Sequence, residues 1–341
     1  MKKNKITQKL IDFLIVDKKF ESINPDFLLT FLKKASLNRV LYETSRKILL
    51  EDKRLSDMTK TSESNLRLIV QEGEKYLKRL RETLFFINNQ FSEYPFLIVK
   101  TFKNHHYITY DVDVLVKPED FPKIRKHIGK LIEVHSHPGG RVRRQIYLKG
   151  QKLLKIDLHQ GFFWYGGQYL DQDEVWRNVG KISYEGQEVP IPSREVEVLI
   201  NLAHLLMERR YITLLDFWYF YEEFMKGIDR NFIFSQAKKY GWDESLRFCL
   251  EALETISRTY NLKKNLFSES LIKRKNVDLP LFFNVGEVLK IFLERLQKAK
   301  VFSYFEFSYF FFVYGRYCLS GRKRLPYYLE WFDFHTLRKI R

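Results

Sequence analysis

The sequence predicts an α+β protein: a small mixed β-sheet core at about 91–192, set between helical regions at 1–90 and 193–341. Three observations carry this. Apolar residues recur every three to four positions through residues 25–90. The period drops to two across "TYDVDVLVKP" (109–118), as in a half-buried strand. Helical spacing then resumes at Ser193.

Element by element, "NPDFLLTFLKKASLNRVLYETSRKILLE" has a helical apolar stripe with Asn24 or Asp26 as cap. "SESNLRLIVQEGEKYLKRLRETLFFINNQF" repeats the stripe after a Ser/Thr-rich break near Thr59–Ser64. "YPFLIVKTF" (94–102) is a short continuous apolar run behind a proline, the form of a buried strand. "PEDFPKIRKHIGKLI" predicts a helix from near Glu119. "GGRVRRQIYLKGQKLLKIDLHQG" predicts two strands turning at Lys149-Gly150, and "GQEVPIPS" a last extended piece. "SREVEVLINLAHLLMERR" opens on a Ser cap, with early acids suited to the positive end of the helix dipole. The apolar run at 301–319 contains Glu306 and Arg316, which predicts a packed aromatic helix of a soluble domain rather than a membrane span.

A net charge of +17 favours polyanionic partners: nucleic acid, nucleotide phosphates or an anionic membrane surface. A merely solvated basic surface has the same composition. Cys249 and Cys318 form no metal-binding or disulfide pattern. The first apolar segment, "LIDFLIV", is short and contains Asp12, so no secretory signal is expected and a cytoplasmic protein is. The basic, aromatic stretch after 319 leaves peripheral attachment to anionic lipid open.

Alternation places Asp111 and Asp113 on one face of their strand, about 7 Å apart along it, where like charges repel. In "LLKIDLHQ", Leu154, Ile156 and Leu158 take one face; Lys155, Asp157 and His159 take the other. If the two strands pair, three carboxylates converge on one exposed face. Three clustered anions need a cation, and all-oxygen donors favour Mg²⁺ or Mn²⁺. Two such ions can clamp a triphosphate and activate an attacking hydroxyl. Asp113→Asn should then abolish activity and leave the fold intact, because it removes a charge where repulsion already exists.

The segments "FLIVKTF", "DVDVLV", "KIDLHQG" and "LAHLLMERRYITLLDF" occur in an order that resembles the nucleotidyltransferase superfamily related to DNA polymerase β. More narrowly, it resembles the bacterial and archaeal nucleotidyltransferase family NTP_transf_5, over roughly residues 25–220. The resemblance implies a nucleotidyltransferase core fold and transfer of a nucleotidyl group from a nucleoside triphosphate such as ATP, with release of pyrophosphate. It implies that Asp111 and Asp113 hold the metal ions and that Asp157 completes the site. The acceptor is expected to be RNA, a tRNA end foremost, because the basic excess exceeds what one nucleotide requires.

One departure stands out. The superfamily has a Gly-Ser or Gly-rich turn before the D-x-D strand, and here that stretch reads "VKTFKNHH". Lys100, Thr101 and Lys103 supply charge and a hydroxyl for phosphate instead. The alternative is a catalytically decayed transferase fold that acts as a nucleic-acid-binding or interaction protein. His159 is a candidate for nucleotide contact or a hydrogen-bonded neighbour of Asp157. His204 and Asp216 match the family pattern but sit in apolar helices, which favours a structural role. His105 and His106 read as loop residues. "EVHSHPGG" (133–140) resembles a zinc-protease motif at His135 and His137, but Gln145 and Leu148 stand where Ser and Asp would be needed, so a loop entering the hairpin is expected. Arg141, Arg143, Arg144, Lys149, Lys152 and Lys155 make the hairpin basic, and Lys123, Arg125 and Lys126 extend that charge onto the preceding helix. The cluster suits either a polyanionic acceptor or a charge-protected sheet edge.

Overall fold

A computed structural model describes residues 2–18, 25–51, 60–103, 108, 111–128, 133–136, 146–149, 153–164, 167–273 and 276–299. The 301–319 segment, His105, His106, His137, Arg141, Arg143, Arg144 and Lys152 lie outside these residues.

The N-terminal part runs β1 (Lys2–Lys3), α1 (Lys5–Leu14), α2 (Pro25–Leu37), α3 (Leu41–Glu51) and α4 (Lys60–Gln90). Asn4 caps α1 through Oδ1, which accepts the N–H groups of Ile6 and Thr7. Pro25 begins α2, where its fixed φ and missing N–H are compatible with the first turn. Where α3 meets α4, Gly73 faces the Tyr42 ring: a Cβ added at Gly73 would lie 2.1 Å from Tyr42 Cδ2. The Tyr42 hydroxyl donates to Glu74 Oε1 at 2.5 Å, so the ring is anchored. Gly73→Ala is therefore expected to lower stability by about 1–3 kcal/mol through overpacking. The same change in a Tyr42→Ala background should be neutral or stabilising, because Ala is the better helix former by about 1 kcal/mol. Denaturant midpoints of the four proteins of this cycle check both statements.

The central sheet is mixed, in the order β2 (Phe96–Val99), β3 (Asp111–Val116), β6 (Lys155–His159), β5 (Ile146–Lys149), β4 (Glu133–Ser136). Only β3 and β6 run parallel; the other neighbours are antiparallel. Helix α5 (Phe121–Ile128) follows β3. Val112, Val114, Val116, Ile156 and Leu158 pack on one face with Leu80, Leu84 and Ile87 of α4 and Phe121, Ile124 and Ile128 of α5. On the other face Leu97, Val99 and Leu115 join the large core of the remaining helices. The alternation in "DVDVLV" thus separates two apolar layers and leaves the aspartates at one end of the second. The segment at 133–136, expected as loop, is instead edge strand β4, with Val134 and His135 opposite Leu148 and Tyr147. Pairing with β5 supplies the ladder that a short polar segment lacks locally.

After the short pair β7 (Phe163–Trp164) and β8 (Gly167–Gln168) come α6 (Gln172–Arg177) and the hairpin β9 (Val179–Tyr184) and β10 (Gln187–Pro192). The extended piece "GQEVPIPS" is half of this hairpin. It turns at Glu185-Gly186, both at positive φ (50° and 79°), as tight hairpin turns require. Then follow α7 (Arg194–His204), a π-helical turn (Leu205–Arg209), β11 (Tyr211–Ile212), α8 (Leu214–Met225), α9 (Arg230–Lys239), α10 (Asp243–Thr259), β12 (Asn276–Val277), β13 (Leu281–Phe282) and α11 (Val285–Ala299). Ser193 stands at the N-cap of α7 but its hydroxyl makes no capping bond. Among the described residues no helix is long and apolar enough to cross a membrane.

Candidate functional site

The parallel pairing of β3 and β6 sets Asp113 opposite Asp157, Asp111 opposite Lys155, and Leu115 opposite His159. Neighbouring strands lie about 4.8 Å apart and in-register side chains share a face. Asp111, Asp113, Lys155, Asp157 and His159 therefore line one patch. The three aspartates share this face of the sheet, and each meets a different environment.

Asp113 is the most strongly held. Lys100 Nζ lies 2.9 Å from its Oδ1, and His159 Nε2 donates to the same oxygen at 2.5 Å. Burial would raise the Asp113 pKa, but Lys100 and His159 outweigh it and hold the carboxyl well below the usual range. Asp157 is the opposite case. Burial, then the Asp111 charge, push its pKa up to about 7, although Lys155 Nζ sits 3.2 Å away. Its buried Oδ1 makes no hydrogen bond but lies 3.2 Å from the Lys155 ammonium, which donates to Oδ2. Asp111 is also raised, by burial and then by Asp113. His159 thus serves Asp113 on the adjacent strand rather than its sequence neighbour Asp157.

The turn after β2 is organised by a residue that sequence reading missed. Lys100 adopts a left-handed backbone (φ 59°), and its N–H donates to Glu197 Oε1 of α7 at 2.7 Å. Asn201 Nδ2 donates to the same oxygen at 3.1 Å. Burial pushes the Glu197 carboxyl up to about 7. The sequence shows Glu197 only as an early acid of a helix, whereas its side chain grips a turn 97 residues away. Thr101 is buried and its hydroxyl donates to the Val99 carbonyl at 3.1 Å. Lys103 Nζ lies 3.4 Å from Asp216 Oδ1, with burial lowering its pKa. Asp216 is buried and closes a capping box with Thr213; Arg209 Nη1 donates to its Oδ1 at 2.6 Å. His204 Nδ1 lies 2.9 Å from Glu208 Oε2 within the π-helical turn. The basic residues Lys123, Arg125 and Lys126 are exposed on α5.

All-oxygen donors on neighbouring strands suit a hard divalent cation. As the side chains stand, no group of three His, Cys, Asp or Glu among the described residues is gathered to hold a metal ion. Lysine and histidine hold two of the three carboxylates instead.

These environments fix a pH response. Asp157 and Glu197 have folded pKa values near 7, against ordinary values of 3.8 and 4.5. Between about pH 4 and 7 the folded state therefore holds protons that the unfolded chain has released, and stability falls as pH rises. Asp113 has the opposite sign: its contribution is present above its ordinary 3.8 and is lost as pH falls. Metal-free protein should melt highest near pH 4–5 and lose on the order of a few kcal/mol by pH 8. Thermal melts in chelator across pH 3–8 check this; a melting temperature that climbs from pH 5 to 8 would contradict it.

Residues 109–256 match the model of the family NTP_transf_5, described as "Uncharacterised nucleotidyltransferase". That match spans less than half of the chain and makes this segment similar to nucleotidyltransferases. The chain has a mixed helical and small-sheet α+β fold. The matched segment contains Asp111, Asp113, Asp157, His159, Glu197 and Asp216, and begins after Lys100. Two solved structures are similar in part. The lincosamide antibiotic adenylyltransferase LnuA, bound to lincomycin, is 15% identical with a TM-score of 0.28, over 35% of this chain and 83% of that one. A Thermotoga maritima protein described as a nucleotidyltransferase, TM1012, is 14% identical with a TM-score of 0.27, over 36% of this chain and 81% of that one. A search of curated proteins finds no match.

Proposed function

We propose that the protein transfers a nucleotidyl group from a nucleoside triphosphate to an acceptor hydroxyl, with Mg²⁺ or Mn²⁺ held by Asp111, Asp113 and Asp157. The observation that carries this is the register of β3 on β6, which sets Asp113 beside Asp157 on one face with Asp111 two residues along. A divalent ion bound there would supply charge neutralisation at the triphosphate and lower the pKa of the acceptor hydroxyl. Asp157 faces the acceptor and takes the hydroxyl proton. The acceptor oxygen bonds to the α-phosphorus as the bond to pyrophosphate breaks, and pyrophosphate leaves with that electron pair. His159 orients Asp113, and Lys100 beside it supplies charge to the triphosphate, whereas Lys103 is paired with Asp216. Residues 91–192 form the catalytic core, with 1–90 and 193–341 as flanking helical regions, in the cytoplasm. RNA, such as a tRNA end, is the acceptor that the +17 charge favours.

A second reading, a decayed transferase fold that binds nucleic acid, is favoured by one observation: Lys100 stands in a left-handed turn where a glycine is the ordinary residue. The experiment that separates them incubates the pure protein with each α-labelled nucleoside triphosphate, Mg²⁺, and total RNA or protein extract. Label on RNA is expected, together with melting stabilised by about 2.7 kcal/mol at a triphosphate concentration 100 times Kd. Label confined to protein would remove RNA as acceptor. Neither label nor stabilisation would leave the second reading.

A further inference from the structure

We propose that Lys100 is the resident counter-cation of Asp113, competing there with divalent metal and moving to the phosphates of a bound triphosphate. This rests on the transferase reading above and says how metal and nucleotide loading of that site depend on each other.

The backbone comes first. Left-handed φ is strained for a residue with a Cβ, and such strain persists only where the surroundings impose it. At Lys100 they do, because Glu197 reaches from α7 to accept the Lys100 N–H at 2.7 Å. A glycine would meet this backbone requirement without strain, so the lysine is accounted for by its side chain. That side chain is 13% exposed and brings Nζ to 2.9 Å from Asp113 Oδ1. An ammonium there repels any cation approaching the same oxygen. Its flexible four-carbon stem allows the charge to move without a change at the pinned backbone. Lys155 differs: it is 38% exposed, so water screens its pairing with Asp157 and it competes less.

Competition with a second anion available on the nucleotide makes the two loadings mutually reinforcing, and the coupling must be equal in both directions. Calorimetric titration of Mn²⁺ tests this on wild-type protein, Lys100→Met, Lys100→Gly and Lys155→Met, with and without an α,β-methylene triphosphate analogue. Without nucleotide, both Lys100 variants should bind Mn²⁺ about tenfold more tightly than wild type. The analogue should tighten Mn²⁺ binding about tenfold in wild type and much less in the Lys100 variants. Lys155→Met should change either quantity less. If wild type binds Mn²⁺ but the Lys100 variants bind it no more tightly, this proposal alone fails. If wild type binds no Mn²⁺ with or without the analogue, the transferase reading fails with it. Loss of cooperative melting in both Lys100 variants would mark the ion pair as structural and would also overturn the proposal.

Discussion

Asp157→Asn is expected to abolish nucleotidyl transfer, by about 10³-fold or more, while leaving the metal-free protein at least as stable as wild type at pH 8. Under the proposed mechanism transfer is lost because the proton acceptor and one oxygen ligand go together. Stability is kept because Asp157 is the carboxylate whose charge the fold opposes: burial and then Asp111 raise its pKa to about 7. Asn is nearly isosteric and removes that ionisation cost. Asp113→Asn should lose transfer as completely but melt lower, by about 1–3 kcal/mol, because it removes the carboxylate that pairs with the Lys100 ammonium in a buried site. The strand spacing predicts repulsion at Asp113 and a fold indifferent to its neutralisation. Lys100 and His159 reverse that expectation, since they over-compensate this one charge. Labelled transfer assays and chemical denaturation on the two variants decide the matter. Equal stability of the two would contradict the assignment of environments.

Asp216→Ala should destabilise the fold by about 3–5 kcal/mol although it lies outside the acidic patch. The side chain does two jobs at once. Its Oδ2 accepts the Thr213 N–H at 3.1 Å and the Thr213 hydroxyl at 2.6 Å, closing the capping box of α8. Its Oδ1 accepts from Arg209 at 2.6 Å and Lys103 at 3.4 Å. Alanine removes the cap, a loss of about 1 kcal/mol, and leaves two cations without this partner in a site where Asp216 is buried. Thr213→Ala should cost far less, because it removes capping bonds and leaves the ion pairs. Urea midpoints of the two variants check the contrast. A loss under about 1 kcal/mol for Asp216→Ala would show that the cations find other partners. The apolar helical setting of Asp216 suggests a structural role, and the capping box is its physical form. The pair with Lys103 ties that role to the turn before β3.

Periodicity was enough to read the segments that pack locally. A period of two in "DVDVLV" and a split face in "KIDLHQ" place Asp111, Asp113, Asp157 and His159 correctly on their strands, because side-chain direction in a strand follows from position alone. The turn at Glu185-Gly186 was not read, since "GQEVPIPS" shows only an extended piece and glutamate gives no signal of positive φ. Nor was strand β4: its pattern is short and polar, and its ladder comes from β5.

What sequence cannot supply is the partner of each charge. Asp111, Asp113 and Asp157 are equivalent letters, and only long-range neighbours and burial hold the pKa of Asp113 down and push that of Asp157 up to about 7. Lys100 reaches Asp113 across thirteen positions, His159 reaches it across forty-six, and Glu197 pins the Lys100 backbone across ninety-seven. Local sequence sets which way a side chain points, because backbone geometry is local. Burial and the placement of opposite charge set how that side chain behaves, and both arise only when distant segments pack together.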